Sequence, residues 1–156
     1  MITLEISKRY QSQIDTSLIK QTVDTALIHQ GVRPDSEISI IITGDEQLHA
    51  LNLQFLDVDA PTDVLSFPVD FTNPDTDIPY LGDILISFPR AETQASAAGH
   101  TVMAELQLLV VHGILHLLGH DHAENAEKVK MWNAQRGILQ QLGLGNLKLP
   151  NGVNYG

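Results

Sequence analysis

The sequence predicts an α+β fold, in which a small mixed four-stranded sheet is packed by helices, one of them central and buried. Residues 2–6 alternate apolar and polar side chains, and residues 37–43 are rich in β-branched side chains, as strands are. Residues 101–118 are apolar on nearly every side, which is typical of a helix at the centre of a domain. The 156 residues can bury one hydrophobic core but are too few for two, so we predict a single domain over residues 1–156.

The N-terminal third has the pattern of a strand, a helix and a second strand. Between the two predicted strands, residues 14–29 place apolar side chains on one helical face, and the pattern ends near Gly31 and Pro34. We expect the crossover of this unit to be right-handed. A second helix is predicted for residues 45–53, where acidic side chains lie at the positive N-terminal end.

The middle of the chain predicts two short strands, residues 64–67 and 84–87, which can pair with each other. Residues 68–80 between them contain three prolines and three aspartates. Prolines and aspartates at this density favour turns over regular structure. We therefore predict an irregular, solvated and acidic loop there.

The C-terminal half predicts two helices. Thr101 can cap the central helix, and Gly119 is a natural left-handed stop for it. Residues 124–142 have the amphipathic pattern of a last helix. Residues 147–156 carry no periodic pattern, and we expect a mobile tail.

The composition limits the kinds of site that the chain can build. It has no cysteine, so disulfides, thiolate zinc sites and cysteine nucleophiles are excluded. The formal net charge of −10 argues against binding to polyphosphate, although a metal ion and a few well-placed cations can offset it within one cleft. No segment approaches the roughly eighteen apolar residues of a membrane span, and the N-terminus lacks the apolar region of a signal peptide, so we expect a cytoplasmic protein.

Four of the seven histidines lie within residues 112–122, at the end of the apolar helix. His112 and His116 are four residues apart, so their imidazoles lie on one helical face and can bind a single ion. Gly119 lets the chain reverse, which allows His122 to return towards the same ion. The competing ligand is His120, which we expect to point away from the returning chain. Histidines that only satisfy core or surface contacts remain the alternative interpretation.

Three imidazole ligands leave one tetrahedral position to water, and that arrangement is typical of catalytic rather than structural zinc sites. An open site of this kind predicts a metal-dependent hydrolase. Asp121 is a candidate to orient one of the imidazoles, although an aspartate in a turn more often binds nearby backbone amides. Three imidazoles also suit nickel, cobalt or iron, so spacing alone does not identify the metal.

The spacing of these histidines also matches the metzincin proteases in its metal-binding positions. Gly113, however, lies where those proteases need a glutamate as general base. A phosphodiester depends less on such a base, because the metal can stabilise the developing charge. The pattern therefore favours phosphoryl transfer, with RNA as the leading substrate, over peptide hydrolysis.

Several blocks of the sequence resemble the YbeY-type endoribonucleases. The resemblance rests on VVHGILHLLGHDH at 110–122, on Leu51-Asn52 followed by DAPTDVLSFP at 59–68, on GDILIS at 82–87 and on AGH at 98–100. It covers roughly residues 37–142. It implies zinc on His112, His116 and His122, and single-strand-specific cleavage in small-subunit ribosomal RNA maturation and ribosome quality control. It also implies ribosomal RNA, with ribosomal proteins or assembly factors, as partners.

One position departs from the family pattern. Phe55-Leu56 stands where the family has an arginine, so a cation that would hold or polarise the RNA backbone is missing. Arg90 is a candidate substitute, because it follows the predicted strand at 84–87. The departure keeps a second hypothesis open, in which the chain is a non-enzymatic ribosome-assembly factor with a structural metal.

Other polar residues near these motifs have ordinary structural explanations. We expect Thr62 and Asp63 to satisfy backbone groups in a turn, and we assign no role to Ser66. Phosphate loops, dinucleotide fingerprints and G-x-S-x-G elbows are absent from the sequence, which favours the metal hypothesis.

Overall fold

Four strands form one mixed sheet in the computed structural model, which describes residues 2–121 and 123–147. They are β1 (Ile2–Ile6), β2 (Glu37–Thr43), β3 (Val64–Thr72) and β4 (Pro79–Ser87), in the order β1-β2-β4-β3. β2 is parallel to β1 and to β4, whereas β3 is antiparallel to β4. The predicted fold class and the pairing of the two middle strands are confirmed, and β3 lies at an edge of the sheet.

The described residues also form five α-helices, and a short 3-10 helix follows β1 at Lys8–Gln13. The α-helices are α1 (Thr16–His29), α2 (Asp45–Leu56), α3 (Phe88–Ala98), α4 (Val102–Leu117) and α5 (Asn125–Gln141). The side chain of Asp15 accepts hydrogen bonds at the start of α1, and Thr101 accepts one from the amide of Ala104 at the start of α4. Thr101 is therefore the cap that the sequence predicts.

Helix α4 lies at the centre of the molecule. Nearly all its side chains are buried, and it contacts α1, α3, α5 and the two strands of the β3–β4 hairpin. Alternate residues of the strands, such as Ile40 and Ile84, face this side and share one core with α4. Helix α2 covers the opposite face, where Leu48 packs on Leu65 and Leu85. β3 is an edge strand, so the side of β3 that does not pair with β4 borders both faces of the sheet.

The β3–β4 hairpin is longer than the sequence predicts. The irregular loop expected over residues 68–80 is wrong at both ends, since β3 continues to Thr72 and β4 already begins at Pro79. Pro68 does not end the strand because β3 lies at the edge of the sheet. On the free side of an edge strand no neighbouring strand needs the amide hydrogen that proline lacks. The register is irregular between Pro68 and Phe71, so the proline is accommodated locally.

Helix α3 was not predicted from the sequence. Helix α2 ends at Leu56, three residues after its predicted end at residue 53. The side chain of Ser87 caps α3 by accepting a hydrogen bond from the amide of Arg90, and Gly99 ends it in a left-handed conformation.

None of the described helices is long and apolar enough by itself to cross a membrane. Helices α3 and α4 reach that length and composition only together, across a bend of 113°. His122 and all but the first residue of the predicted tail lie outside the described residues.

Candidate metal centre and its cleft

His112 and His116 face each other on one side of α4, near its C-terminal end. Their Nε2 atoms are 3.1 Å apart, and their rings meet edge to face with centroids 4.7 Å apart. His112 is 5% exposed, so its imidazole is held within the protein. The structure therefore brings two of the three predicted ligands together, as their spacing of four residues on a helix requires.

The ring of His112 is oriented by Gln135, a buried side chain on α5. Oε1 of Gln135 lies 3.1 Å from Nδ1 of His112. Because an amide oxygen only accepts, Nδ1 of His112 carries the hydrogen, and its Nε2 presents a lone pair towards His116. A metal-binding histidine is usually fixed in this way, by an acceptor on its other ring nitrogen.

Gln135 is a site residue that was not predicted, although the sequence of α5 carries a signal for it. Met131 and Ile138 are buried on the same face of α5, so Gln135 is a polar residue in an apolar stripe. A polar side chain in that position needs a buried partner, and here the partner is an imidazole.

The two imidazoles fit a zinc ion by their separation. Zinc lies about 2.0–2.1 Å from imidazole nitrogen, so two such nitrogens on a tetrahedral ion are about 3.3 Å apart. The observed 3.1 Å is close to that distance. The donor chemistry fits as well, because neutral imidazole nitrogens are common zinc ligands.

The end of α4 has the predicted left-handed glycine. Gly119 has a φ of 94°, and the amide of His120 donates to the carbonyl of Leu115, which closes the helix end. The imidazole of His120 contacts the residue that follows α1, through a 2.8 Å hydrogen bond between its Nε2 and Oε1 of Gln30. Burial, together with nearby Lys130, lowers the pKa of His120. His122 lies outside the described residues, so the choice between His120 and His122 as the third ligand stays a prediction.

A cleft of about 160 Å³ opens beside His116 at the free edge of β3. It is lined by Leu56, Val64, Leu65, Ser66, Pro68 and His116. The hydroxyl of Ser66 donates a 3.4 Å hydrogen bond to the carbonyl of Gly113, which links β3 to α4 beside the histidines. The cleft is therefore built by three elements that are distant in sequence: α2, β3 and α4.

Gly113 is explained by close packing between α4 and the sheet. A Cβ atom at this position would lie 2.9–3.2 Å from side-chain atoms of Ile84 on β4. A glutamate at position 113 would push α4 away from β4. The close packing of α4 on β4 therefore explains why this position holds glycine and not the glutamate that metzincin proteases use as general base.

The cleft lining includes no lysine or arginine among the described residues, and the residue that it takes from α2 is Leu56. Arg90 does not line the cleft. Its Nε lies 3.3 Å from both carboxylate oxygens of Asp45 at the start of α2. The hypothesis that Arg90 substitutes for the family arginine thus finds no geometric support in this structure.

A histidine and a glutamate form a second polar pair, at the N-terminal end of α4. Nε2 of His100 is 2.6 Å from Oε1 of Glu105, and both side chains are nearly or fully buried. Burial raises the pKa of the Glu105 carboxyl, although its hydrogen bond with His100 opposes the shift. Nearby, Asp63 accepts hydrogen bonds from the amide of Val64 and from Gln94. Asp63 therefore has the turn role expected of it.

Comparisons with known proteins agree on one family. The family model of endoribonuclease YbeY matches residues 2–143. The endoribonuclease YbeY of Clavibacter michiganensis is 42% identical over 143 residues, covering 88% of this chain and 94% of the relative. That of Roseiflexus castenholzii is 41% identical over 149 residues, covering 92% and 94%. That of Dehalococcoides mccartyi strain CBDB1 is 38% identical over 146 residues, covering 86% and 88%.

A solved structure has the same fold. The solution structure of TM1509 from Thermotoga maritima aligns over 99% of both chains, with a TM-score of 0.57 and 24% sequence identity. At that identity the likeness concerns the fold alone. The sequence matches carry the assignment further: this chain belongs to the endoribonuclease YbeY family.

Proposed function

We propose that this protein is a metal-dependent endoribonuclease that cuts single-stranded RNA. His112, His116 and His122 would hold one zinc ion at the cleft beside β3. The observation that carries the proposal is the 3.1 Å separation of two imidazole nitrogens on the buried helix of a chain whose relatives are named endoribonucleases. No cysteine competes for the metal, so histidine is the natural ligand.

The protein's own residues have distinct parts in this proposal. Gln135 keeps Nε2 of His112 available as a ligand, because it accepts the hydrogen on Nδ1. His116 lines the cleft, so a phosphodiester placed there lies beside the metal ligands. Ser66 lines the same cleft, and its hydroxyl, which donates to the carbonyl of Gly113, ties β3 to α4 beside the metal ligands. A zinc ion supplies Lewis acidity towards a phosphoryl oxygen and a nucleophile at neutral pH.

The cellular role that we propose is maturation of small-subunit ribosomal RNA and ribosome quality control in the cytoplasm. Ribosomal proteins or assembly factors would be further partners. The support is the match to the family blocks around residues 51–68 and 110–122. The net charge of −10 means that such a protein needs specific local contacts, or a partner, to approach ribosomal RNA.

A second candidate function is a non-enzymatic ribosome-assembly factor with a structural metal. The observation that favours it is Leu56, which gives the cleft an apolar side chain in place of a cation. In that case the histidines would stabilise the end of α4, and substitution would weaken folding and binding together.

The test is cleavage of a single-stranded RNA oligomer by the zinc-loaded protein and by a His116→Ala variant. A His49→Ala variant is the matched control, because His49 lies on α2, is half exposed and pairs with Asp59 beyond the end of that helix. Circular dichroism verifies that all three proteins are folded. We expect the parent and His49→Ala to cut RNA, and His116→Ala to lose at least about 100-fold in rate.

Two results would count against the nuclease. Equal cutting by all three proteins would indicate a contaminant, and no cutting by any of them would leave the assembly-factor candidate. In the latter case, His116→Ala should lower both the melting temperature and RNA binding.

A further inference from the structure

Two phenylalanine rings form an exposed aromatic pair next to the cleft, on the α2 face of the sheet. The centroids of Phe55 and Phe67 are 5.5 Å apart, with 65° between the ring planes. Phe55 is 58% exposed, whereas Phe67 packs against the apolar cluster under α2. We call Phe55 and Phe67 the aromatic pair. An exposed ring that packs edge to face on a partly buried ring leaves apolar surface in water.

The aromatic pair is continuous with the cleft. Phe55 precedes Leu56, and Phe67 lies between Ser66 and Pro68, so each ring is adjacent in sequence to a residue of the cleft lining. Successive residues of β3 face opposite sides of the sheet, so Ser66 reaches α4 while Phe67 reaches α2. A ligand that crosses the free edge of β3 at Leu56 therefore meets His116 on one side and Phe55 on the other.

The charges around the aromatic pair indicate which part of a ligand lies there. The cleft lining among the described residues lacks cations, and Asp57 and Asp59 follow directly after Leu56. Carboxylates repel a phosphate backbone, but they do not oppose stacking of a nucleobase on an aromatic face. Affinity for a nucleic acid at this edge must then come from bases more than from phosphates.

We infer that Phe55, supported by Phe67, is the stacking residue for one unpaired base of the RNA substrate. This inference rests on the proposed function, because the scissile phosphodiester is taken to lie in the cleft. A base in a duplex is stacked on its neighbours and has no free face for Phe55. The aromatic pair thus makes Phe55 a specificity-determining residue for single strands.

The test measures binding of single-stranded RNA that carries 2-aminopurine, whose fluorescence reports stacking. Binding is measured on the His116→Ala protein, so that the RNA is not cut, with and without Phe55→Ala. Phe71→Ala is the matched control, since Phe71 is 55% exposed and lies four residues beyond Phe67 on β3. We expect Phe55→Ala to weaken binding by about tenfold and Phe71→Ala to leave it unchanged.

Two further comparisons identify stacking as the cause. Phe55→Trp keeps an aromatic face and is expected to retain binding. An oligomer with an abasic nucleotide at the contacted position should bind the parent and Phe55→Ala equally. Phe55→Ala should also leave the salt dependence of binding unaltered, because no phosphate contact is lost.

Separate results overturn the inference and the proposed function. If RNA is cut by the protein with His116 intact but Phe55→Ala binds as tightly as the parent, the nuclease stands and the stacking role is wrong. The aromatic pair would then be a surface for a protein partner. Equal weakening by Phe71→Ala, or weakening that persists with abasic RNA, also overturns the stacking role. If the protein neither binds nor cuts single-stranded RNA, the proposed function fails and this inference with it.

Discussion

The two ends of α4 each hold a buried histidine in a polar pair, but the pairs differ in chemistry. At the N-terminal end, His100 contacts the carboxylate of Glu105, with only 10% and 1% of their side chains exposed. At the C-terminal end, His112 faces a second imidazole, His116, which lines an open cleft. The side chains of the first pair are buried in the protein, whereas in the second pair His116 borders a cleft that is open to solvent.

The difference shows how the same residue type acquires different roles. A carboxylate can accept the hydrogen of a histidine, so Glu105 is a polar partner for Nε2 of His100 inside the protein. Two imidazole nitrogens that are 3.1 Å apart can share one hydrogen or bind one cation. We propose that the first pair contributes to stability and the second to metal binding, and substitutions at the two ends should separate these roles.

The largest expected effect is at the His100 end. His100→Leu leaves the Glu105 carboxylate buried without its partner, which should lower the free energy of unfolding by about 3 kcal/mol at neutral pH. Urea unfolding measures this loss, and zinc stoichiometry should not change. As a control, the double change His100→Leu and Glu105→Leu removes both polar groups and should recover most of the loss. A variant with normal stability and lost zinc would reverse our assignment of the two ends.

The next effect concerns the orientation of His112. Gln135→Leu removes the acceptor for Nδ1, and outer partners of metal ligands typically contribute 10–100-fold in affinity. We expect zinc to bind about 10-fold more weakly, measured by competition with a chromogenic chelator. Gln135→Glu keeps an acceptor at the same position and is expected to retain affinity. Equal affinity in Gln135→Leu and the parent would show that the contact between α5 and His112 does not serve the metal.

A smaller effect is expected where α4 approaches the sheet. Gly113→Ala places a Cβ atom against Ile84; overpacking costs about 1–3 kcal/mol, and the better helix propensity of alanine returns about 1 kcal/mol. The net result should be a loss of about 1 kcal/mol in the free energy of unfolding. In an Ile84→Ala background the same change should be neutral or stabilising. A loss of the same size in both backgrounds would contradict the packing explanation for Gly113.

The smallest effect is a change in pH dependence at the closed pair. Because burial raises the pKa of Glu105, the folded state holds its proton to a higher pH than the unfolded chain, where the value is 4.5. The stability that this proton contributes is present below that value and is lost as pH rises through the folded-state pKa. Asp63 raises the Glu105 pKa further, and His100 opposes the shift.

Glu105→Gln removes this ionisation while keeping an acceptor for His100. The free energy of unfolding of the variant, relative to the parent, should therefore increase as pH rises above 4.5. Urea unfolding of both proteins across pH 4 to 8 measures the difference. Parallel stability curves would show that the Glu105 carboxyl has an ordinary pKa in the folded protein.

Much of the fold followed from the sequence because its periodicity is strong. The bounds of β1 and β2 were predicted correctly, since β1 alternates apolar and polar residues and β2 is rich in β-branched ones. Helix α3 was missed because Ala91 and Ala95 make up most of its buried face, and alanine gives little apolar contrast. The end of β3 was missed because Pro68 is a turn signal in sequence, and only the sheet order shows that it lies on an edge.

The candidate site was predictable only where its residues are close in sequence. His112 and His116 share a helix, so spacing was sufficient to pair them. Gln135 is 23 residues from His112, and only the packing of α5 on α4 brings them together. The cleft joins Leu56, Ser66 and His116 from three elements, and no local pattern indicates that they meet.

The most direct test of the account is the zinc stoichiometry of the protein and of a double variant, His112→Ala with His116→Ala. Both are stripped with a chelator, reloaded with zinc, desalted and analysed for metal, with His49→Ala as a control. The account predicts one ion per chain in the parent and in the control, and none in the folded double variant. A parent that retains no zinc, or a double variant that retains as much as the parent, would contradict the metal centre on α4.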